Sequence, residues 1–269
     1  MLVFLVLCLV LEVGLVTVLV LNFRLLKTLI ARMRVVETRF SPGSPGEMPE
    51  LDLEAWERRT DEMRALGFRV VEDHHWRPFF SGVGAEEAAP LAGPHASPAP
   101  LRHQMRGFER LMVHPEHGCL AGVLFTVLSD RLKPAAAAKT ADVLWIGSYC
   151  GFGDDDWSCQ TSNARHSKAE VLVGKLTRHP RRLVTRWAGE APAALLQKHL
   201  ERREQIARVA NISWQRELTA ADEIASEARQ LRHTRAVYQS LTPRQVRAQL
   251  HAFKREKGDE WLGELKGRL

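Results

Sequence analysis

The chain has 269 residues, of which 45% are hydrophobic and 26% charged, and its net charge is +6. Four cysteines exclude a disulfide-rich framework, and so modest a charge excess does not by itself indicate nucleic-acid binding. About 245 residues follow the first hydrophobic stretch, which is enough for one sizeable domain or for one domain with a helical appendage.

Residues 1–23 predict a transmembrane helix. They contain eight Leu, seven Val and two Phe, and their only charge is Glu12. About 20 apolar residues span a bilayer core. Each Leu, Val or Phe contributes roughly −0.3 to −0.6 kcal/mol to insertion, so insertion is favoured although a central charge costs roughly 2.5 to 3.5 kcal/mol. A cleaved signal peptide is the main alternative, but no basic residue precedes the stretch and no A-x-A-like site follows it. The role of Glu12 stays open.

Basic residues lie only on the C-terminal flank of this stretch, at Arg24, Lys27, Arg32 and Arg34. Because positive flanks stay on the cytosolic side, we expect the N-terminus outside and nearly all of the chain facing the cytosol. The expected location is the inner or plasma membrane, crossed once.

The expected location also predicts the state of the thiols. In the cytosol, Cys119, Cys150 and Cys159 should be reduced. In the inverted topology, Cys150 and Cys159 would become a candidate disulfide across a hairpin, and Cys119 would stay unpaired.

The region after the anchor predicts a helix, a linker and a second helix. Residues 25–36 read as a basic juxtamembrane helix, and the Pro and Gly residues of 41–46 end it. Residues 51–66 then form an amphipathic pattern with Asp52 as the N-cap and Gly67 after the last turn. A short strand at 68–71 completes this unit.

The middle of the chain predicts strands joined by hairpins. After a surface loop at 81–100, the apolar runs 108–113 and 120–128 flank a turn at 115–118. The runs 143–150 and 157–162 flank a second turn in the same way. These patterns indicate an antiparallel meander of four or more strands.

The last third predicts helices. One apolar stripe includes Leu195 and Ile206, and a second helix starts at Thr219 with Ile224, Ala228 and Leu231 on one side. Thr242, followed by Pro and by Gln three positions on, marks another helix start. Residues 261–265 suggest a short final helix.

The order of these elements predicts an α+β fold. It comprises a single N-terminal transmembrane helix, an antiparallel β-meander with a packed helix, and a helical C-terminal region, with the helices on one face of the sheet. The expected divisions are a transmembrane anchor at 1–23, a basic juxtamembrane helix and Pro/Gly linker at 24–50, an α+β domain at 51–187 and a helical region at 188–269. The last region either packs on the domain or forms a separate hairpin.

One segment is strongly basic. Seven cations in residues 165–186 stand against one acid, Glu170, and they are candidate contacts for anionic lipid or phosphate: Arg165, Lys168, Lys175, Arg178, Arg181, Arg182 and Arg186. The alternative is a solvated surface whose charges serve solubility. Nucleic acid is not favoured, because the only aromatic residue interleaved with these charges is Trp187 and no known binding module is visible.

A second group of residues offers an alternative chemistry. His114, His117 and Cys119 lie within six residues, and zinc accepts imidazole and thiolate ligands. With Cys159, the two histidines could serve a metal- or Cys/His-dependent hydrolase. Their position on a predicted hairpin tip, however, favours ordinary turn residues, so no catalytic, cofactor-binding or metal-ligating residue is predicted.

These patterns favour a binding or scaffolding function over an enzyme. We expect a single-pass membrane protein whose domain, at the cytosolic membrane face, presents a basic surface to anionic lipid or phosphate groups and engages a protein partner through its helical tail. The tethered hydrolase remains the alternative.

Overall fold

A computed structural model describes residues 35–80, 105–128, 143–164, 174, 177–240, 242, 245, 248 and 260–269. The predicted anchor at 1–23 and the predicted surface loop at 81–100 lie outside the described residues. Within the part of the chain that is described, no helix is both long enough and apolar enough to cross a bilayer.

The described residues form a mixed α+β structure. Its strands are β1 (Val35–Pro42), β2 (Arg69–Phe80), β3 (Met105–His114), β4 (Cys119–Leu128), β5 (Val143–Tyr149), β6 (Ser158–Ser162), β7 (Arg182–Arg186) and β8 (Glu260–Trp261). Its helices are α1 (Leu53–Ala65), α2 (Pro192–Ala210) and α3 (Ala220–Ser240), with short 3-10 helices at Pro45–Glu47 and Gly263–Leu265. The α+β class is therefore confirmed.

The eight strands form one sheet in chain order. Neighbouring strands are antiparallel from β1 to β6, and β7 is parallel to β6. The short strand β8 pairs antiparallel with β7. The predicted meander is thus confirmed from β3 to β6, including both predicted hairpins, and β1 and β2 extend it.

The pairing gives the sheet two distinct ends. Val35, where β1 begins, pairs with Phe80 at the end of β2, and Ser162 at the end of β6 pairs with Arg186 at the end of β7. We call this end the tether end, because it holds the described residue nearest to the predicted anchor. The opposite end, which holds the β3–β4 and β5–β6 hairpins, is the far end.

Local signals set the limits of α1 as predicted. The Asp52 carboxylate accepts a hydrogen bond from the Ala55 N–H at 3.0 Å, which satisfies one of the free amides of the first turn. At the other end Gly67 has a φ of 95°, and the Phe68 N–H donates to the Met63 carbonyl. This is a Schellman ending, which glycine adopts without steric cost.

Helices α1 and α2 pack on the same face of the sheet, which we call the two-helix face. Every second residue of β4 points into this core, because strand side chains alternate between faces. The buried cluster includes Cys119, Ala121, Val123 and Phe125 from β4, Trp56 and Met63 from α1, and Leu195 and Leu196 from α2. The predicted apolar stripe of α2 is confirmed.

Helix α3 lies on the opposite face, which we call the α3 face. The neighbouring β5 residues Ser148 and Tyr149 point in opposite directions. Ser148 contacts His199 of α2, whereas Tyr149 donates a hydrogen bond to Glu223 of α3. The expectation that all helices cover one face is therefore wrong.

The predicted apolar side of α3 is also wrong. Ile224 is 48% exposed, whereas Glu223, Ser226 and Arg229 are between 1% and 5% exposed. The reason lies in the sheet, whose α3 face presents hydroxyl, guanidinium and carbonyl groups that pair with a polar helix side. Hydrophobic periodicity identifies apolar stripes, so it selected the side of α3 that faces away from the sheet.

Three further predictions change at the ends of the domain. Val35 starts β1, so the predicted juxtamembrane helix at 25–36 is wrong at its last two residues, and Ser41 and Pro42 belong to the same strand rather than to a linker. The short strand at 68–71 is part of the longer β2. The predicted final helix is instead β8 and a 3-10 turn. In each case pairing with a neighbouring strand overrides local preference.

The helix start at Thr242 is confirmed. The Thr242 hydroxyl accepts from the Gln245 N–H, and the Gln245 side chain accepts from the Thr242 N–H at 2.8 Å. This reciprocal pair is a capping box.

Glycine on the α3 face makes room for an indole and a carboxylate. A Cβ added at Gly122 would lie 2.2 Å from Glu109 Oε1 and 2.2 Å from Trp145 Nε1. Trp145 pairs with Gly122 across the β4–β5 ladder, so its ring lies over the glycine. The absence of a side chain at position 122 therefore permits the buried contact between Trp145 and Glu109.

We expect Gly122→Ala to lower the free energy of unfolding by about 1–3 kcal/mol, because the new methyl overpacks this contact. Gly46→Ala is the matched control: its Cβ would meet nothing nearer than Ser44 Oγ at 3.8 Å, so a change within about 0.5 kcal/mol is expected. Chemical denaturation of the two variants measures the difference. Equal effects would contradict the packing described here.

Candidate functional site

The structure separates the predicted basic residues. Arg165, Lys168 and Lys175 lie outside the described residues. Arg178, Arg181 and Arg182 precede or begin β7 at the far end, whereas Arg186 ends β7 at the tether end. The described members therefore lie at both ends of one strand, and their contact with anionic groups stays a prediction.

Arg181 and Arg182 each have acidic partners. Arg181 Nε lies 3.1 Å from Glu264 Oε2, and its guanidinium packs 5.6 Å from the centre of the Trp157 ring. Arg182 donates to Glu227 of α3 at 3.0 Å. Arg182 thus serves the contact between sheet and helix, and Arg186 is also buried, at 8% exposure.

A cluster of buried polar side chains lies between the sheet and α3. The Tyr149 hydroxyl donates to Glu223 Oε2 at 2.6 Å. Burial, together with the negative charges of Glu227 and Glu109, raises the pKa of Glu223 to about 8, so this carboxyl is mostly protonated at neutral pH. Burial likewise raises the pKa of Tyr149.

Glu109 is the second carboxylate of this cluster. Its Oε1 accepts from Trp145 Nε1 at 2.6 Å, and its Oε2 lies 3.1 Å from His74 Nε2. Both partners can donate, so the buried charge is compensated by two hydrogen bonds. The buried Trp76 Nε1 has no hydrogen-bond partner in the part of the chain that is described.

A third contact fixes α3 against the β5–β6 hairpin. Arg229, which is 1% exposed, donates to the carbonyls of Gly153 and Asp156 and to Ser158 Oγ at 2.9–3.0 Å. Its guanidinium therefore satisfies two carbonyls of the turn and one strand hydroxyl. Together, these contacts make the polar cluster a connection between sheet and helix.

The titratable groups of this cluster are closed off from the protein surface. Tyr149 and Glu223 are 4% and 5% exposed. Paired carboxyls with a raised pKa are common at functional sites, and structural networks show the same shifts. Here each described hydrogen bond of the Glu223 and Glu109 carboxyl groups is made with another side chain of the protein. This favours a structural role.

Sequence reasoning missed Glu109, Tyr149, Glu223 and Arg229. A signal was available in the strand: Glu109 and Arg110 are charged residues inside the apolar run 108–113. Charged side chains are almost never fully buried unless they are paired. No comparable signal marks Glu223, because a charged residue on a helix is ordinarily exposed.

On the two-helix face, His199 occupies a buried position between two hydroxyls. Its Nε2 lies 2.9 Å from Ser148 Oγ and its Nδ1 lies 3.0 Å from Thr161 Oγ1. Burial, together with the nearby charge of Arg203, lowers the pKa of His199 to about 3. A serine beside a neutral histidine resembles a nucleophile and its base, but His199 is fully buried and no substrate reaches it.

The group considered for a hydrolase does not assemble. His114 Nε2 donates to the Leu66 carbonyl at 2.9 Å, and its Nδ1 accepts from the His117 N–H at 3.4 Å, so both ring nitrogens are occupied. Cys159 lies in a separate buried cluster with Leu183 and Ile206. Burial raises the pKa of its thiol to about 12, which leaves it un-ionised and unreactive.

The described residues contain no group of three or more His, Cys, Asp or Glu residues arranged to hold a metal ion. Cys119, Cys150 and Cys159 are free thiols. His114 and His117 line an open far-end cleft of about 500 Å³ between α1 and the β3–β4 hairpin, together with Arg64, Arg69 and Glu116.

Comparisons with known protein families, with curated proteins and with solved structures found no match to this chain.

We expect Glu223→Gln to flatten the dependence of stability on pH. Between about pH 4.5 and 8 the unfolded chain has lost the Glu223 proton while the folded chain keeps it, so wild-type stability falls as the pH rises through this range. Gln stays neutral and its oxygen can still accept from Tyr149. The melting temperatures of both proteins are measured from pH 5 to 8.5. The melting temperature of the variant should rise relative to that of the wild type as the pH rises. A constant difference would contradict the raised pKa.

We expect His199→Leu to lower the free energy of unfolding by about 2–4 kcal/mol near neutral pH, because two buried hydroxyls lose their partner. The wild-type protein should also lose stability as the pH falls from 6.5 towards 3, since only the unfolded chain binds the proton there. The His199→Leu variant should lack this loss of stability at low pH. Gln197→Leu, at an exposed position of the same helix, is the control, and denaturation at pH 5 and 7.5 measures both.

Proposed function

We propose that this chain is a single-pass membrane protein whose α+β domain acts as a binding or scaffolding module at the cytosolic membrane face. The observation that carries the proposal is the apolar composition of residues 1–23 followed directly by four basic residues. Length and composition favour insertion, and the charge asymmetry favours a cytosolic domain.

The connection between anchor and domain supports a position close to the bilayer. Only residues 24–34 separate the predicted span from Val35, where β1 begins. Fully extended, such a segment reaches at most about 36–40 Å, roughly the width of a small domain. The domain would therefore remain beside the membrane surface in every orientation.

The residues considered for the alternative hydrolase are engaged in other contacts. His114 has both ring nitrogens engaged, His199 is fully buried, and the Cys159 thiol is un-ionised at neutral pH. No observation favours the metal- or Cys/His-dependent hydrolase, so we do not propose it. Anionic lipid or phosphate is the proposed ligand class, from the charge of residues 165–186.

Two experiments on the full chain test this proposal. Alkaline carbonate should leave the chain in the membrane pellet, and release into the supernatant would contradict the anchor. In intact cells, an impermeant thiol reagent should not label Cys150, which is the partly exposed thiol of the domain. Labelling that requires prior permeabilisation supports the cytosolic topology, whereas labelling without it would invert the topology.

A further inference from the structure

We propose that the tether end docks on the headgroups of the anionic leaflet through Trp187 and Lys198. This inference rests on the proposed membrane anchor, and it names one surface and one orientation of the domain. It also places the lipid contact at the end of β7 opposite to Arg181 and Arg182.

The first observation is position. Trp187 directly follows Arg186, and its N–H donates to the Ser162 carbonyl at 2.8 Å, at the tether end. Val35 begins β1 at the same end, at the opposite edge of the sheet. A flat sheet would separate β1 and β7 by about 29 Å, since neighbouring strands lie about 4.8 Å apart. Anchor and Trp187 would therefore hold this end at two separated points.

The second observation is the chemistry of the surface. Trp187 is 37% exposed, and Lys198 Nζ lies 4.2 Å from the centre of its ring. Tryptophan is enriched at the level of the headgroups, where one part of the ring is wet and the other apolar. Lysine beside it directs a cation to the same level while its methylene stem covers apolar surface.

The third observation is rigidity. The turn from Trp187 to Pro192 is closed by a hydrogen bond from the Glu190 N–H to the Trp187 carbonyl and by an ion pair between Lys198 and Glu190. The turn is therefore ordered before any contact with lipid, so docking costs little conformational entropy.

The anchor makes a weak contact sufficient. One cation near an anionic leaflet contributes about 1 kcal/mol, and Lys198 contributes less than that because it is paired with Glu190, so it alone would not retain a soluble protein. Once the chain is anchored, docking is intramolecular, and the short connecting segment gives a high effective concentration of lipid headgroups. Trp187 and Lys198 therefore orient a domain that the anchor already holds.

The far end offers a matched control. Arg181 also packs on a tryptophan, Trp157, and also pairs with a carboxylate, Glu264. Both sites thus combine a cation, an indole and an acid, but they lie at opposite ends of β7. If general surface charge attracts the membrane, the two sites should behave alike. If the tether end docks, substitutions at Lys198 and Trp187 should weaken membrane contact more than substitutions at Arg181 and Trp157.

The experiment uses the full chain in nanodiscs of phosphatidylcholine with or without phosphatidylserine, carrying a doxyl quencher near the headgroups. Subtracting the fluorescence of Trp187→Phe from that of the wild type isolates Trp187, and Trp157→Phe isolates Trp157 in the same way. We expect strong quenching of Trp187 and little of Trp157, with more quenching when phosphatidylserine is present. Lys198→Glu should lower the ratio of docked to undocked domain at least about fivefold, and Arg181→Glu, at the far end, should lower it by clearly less.

Equal quenching of the two tryptophans, or loss of quenching in Arg181→Glu but not in Lys198→Glu, would overturn the docking surface. Alkaline carbonate extraction of cell membranes that contain the same variants separates the two proposals. A chain that stays in the membrane without Trp187 quenching refutes only the docking, whereas a released chain refutes the anchor and the docking with it. Circular dichroism of each variant verifies that the fold is retained.

Discussion

Strand β5 holds helices on both faces of the sheet, and the arrangement of the rest of the domain depends on this. Ser148 meets His199 of α2, and the next residue, Tyr149, meets Glu223 of α3. Because neighbouring side chains in a strand point to opposite faces, a single strand fixes both helices relative to the sheet. A shift of register by one residue would exchange these two contacts, so the polar partners specify the register as well as the position of the helices.

The two faces are stabilised in different ways. On the two-helix face, a continuous apolar cluster from β3, β4, β5, α1 and α2 supplies the usual hydrophobic driving force. On the α3 face, Glu223, Glu227 and Arg229 meet polar groups of the sheet. Each such group loses hydration on burial, and the hydrogen bonds compensate for that loss without adding much net stability. The α3 face also has an apolar cluster, in which Leu111, Leu120 and Tyr149 of the sheet pack on Leu218, so its polar contacts add specificity to a hydrophobic contribution. This face responds to pH because the pKa of Glu223 is raised to about 8.

The two ends of the sheet lie at different distances from the proposed membrane, with the tether end nearer to it. The crossover from β6 to the parallel strand β7 takes the basic segment along the length of the sheet, so its described arginines do not form one patch. Arg182 is bound to α3, Arg181 lies on the far-end surface, and Arg186 is buried at the tether end. A linear count of charges overstates a surface field when the chain passes through the interior, because a buried, paired guanidinium no longer acts on an external anion.

The sequence by itself determined the elements with strong local signals. The Asp52 cap, the glycine ending of α1, both hairpins, the α2 stripe and the capping box at Thr242 are each marked by a residue pattern within one helix or one hairpin. Only the tertiary structure decided which side of α3 is buried, that β1 replaces the end of a predicted helix, and that Glu109 lies between Trp145 and His74. These features depend on partners more than 30 positions away. Local preference is weaker than pairing in a sheet, and periodicity detects apolar sides, so neither finds a helix whose buried side is polar.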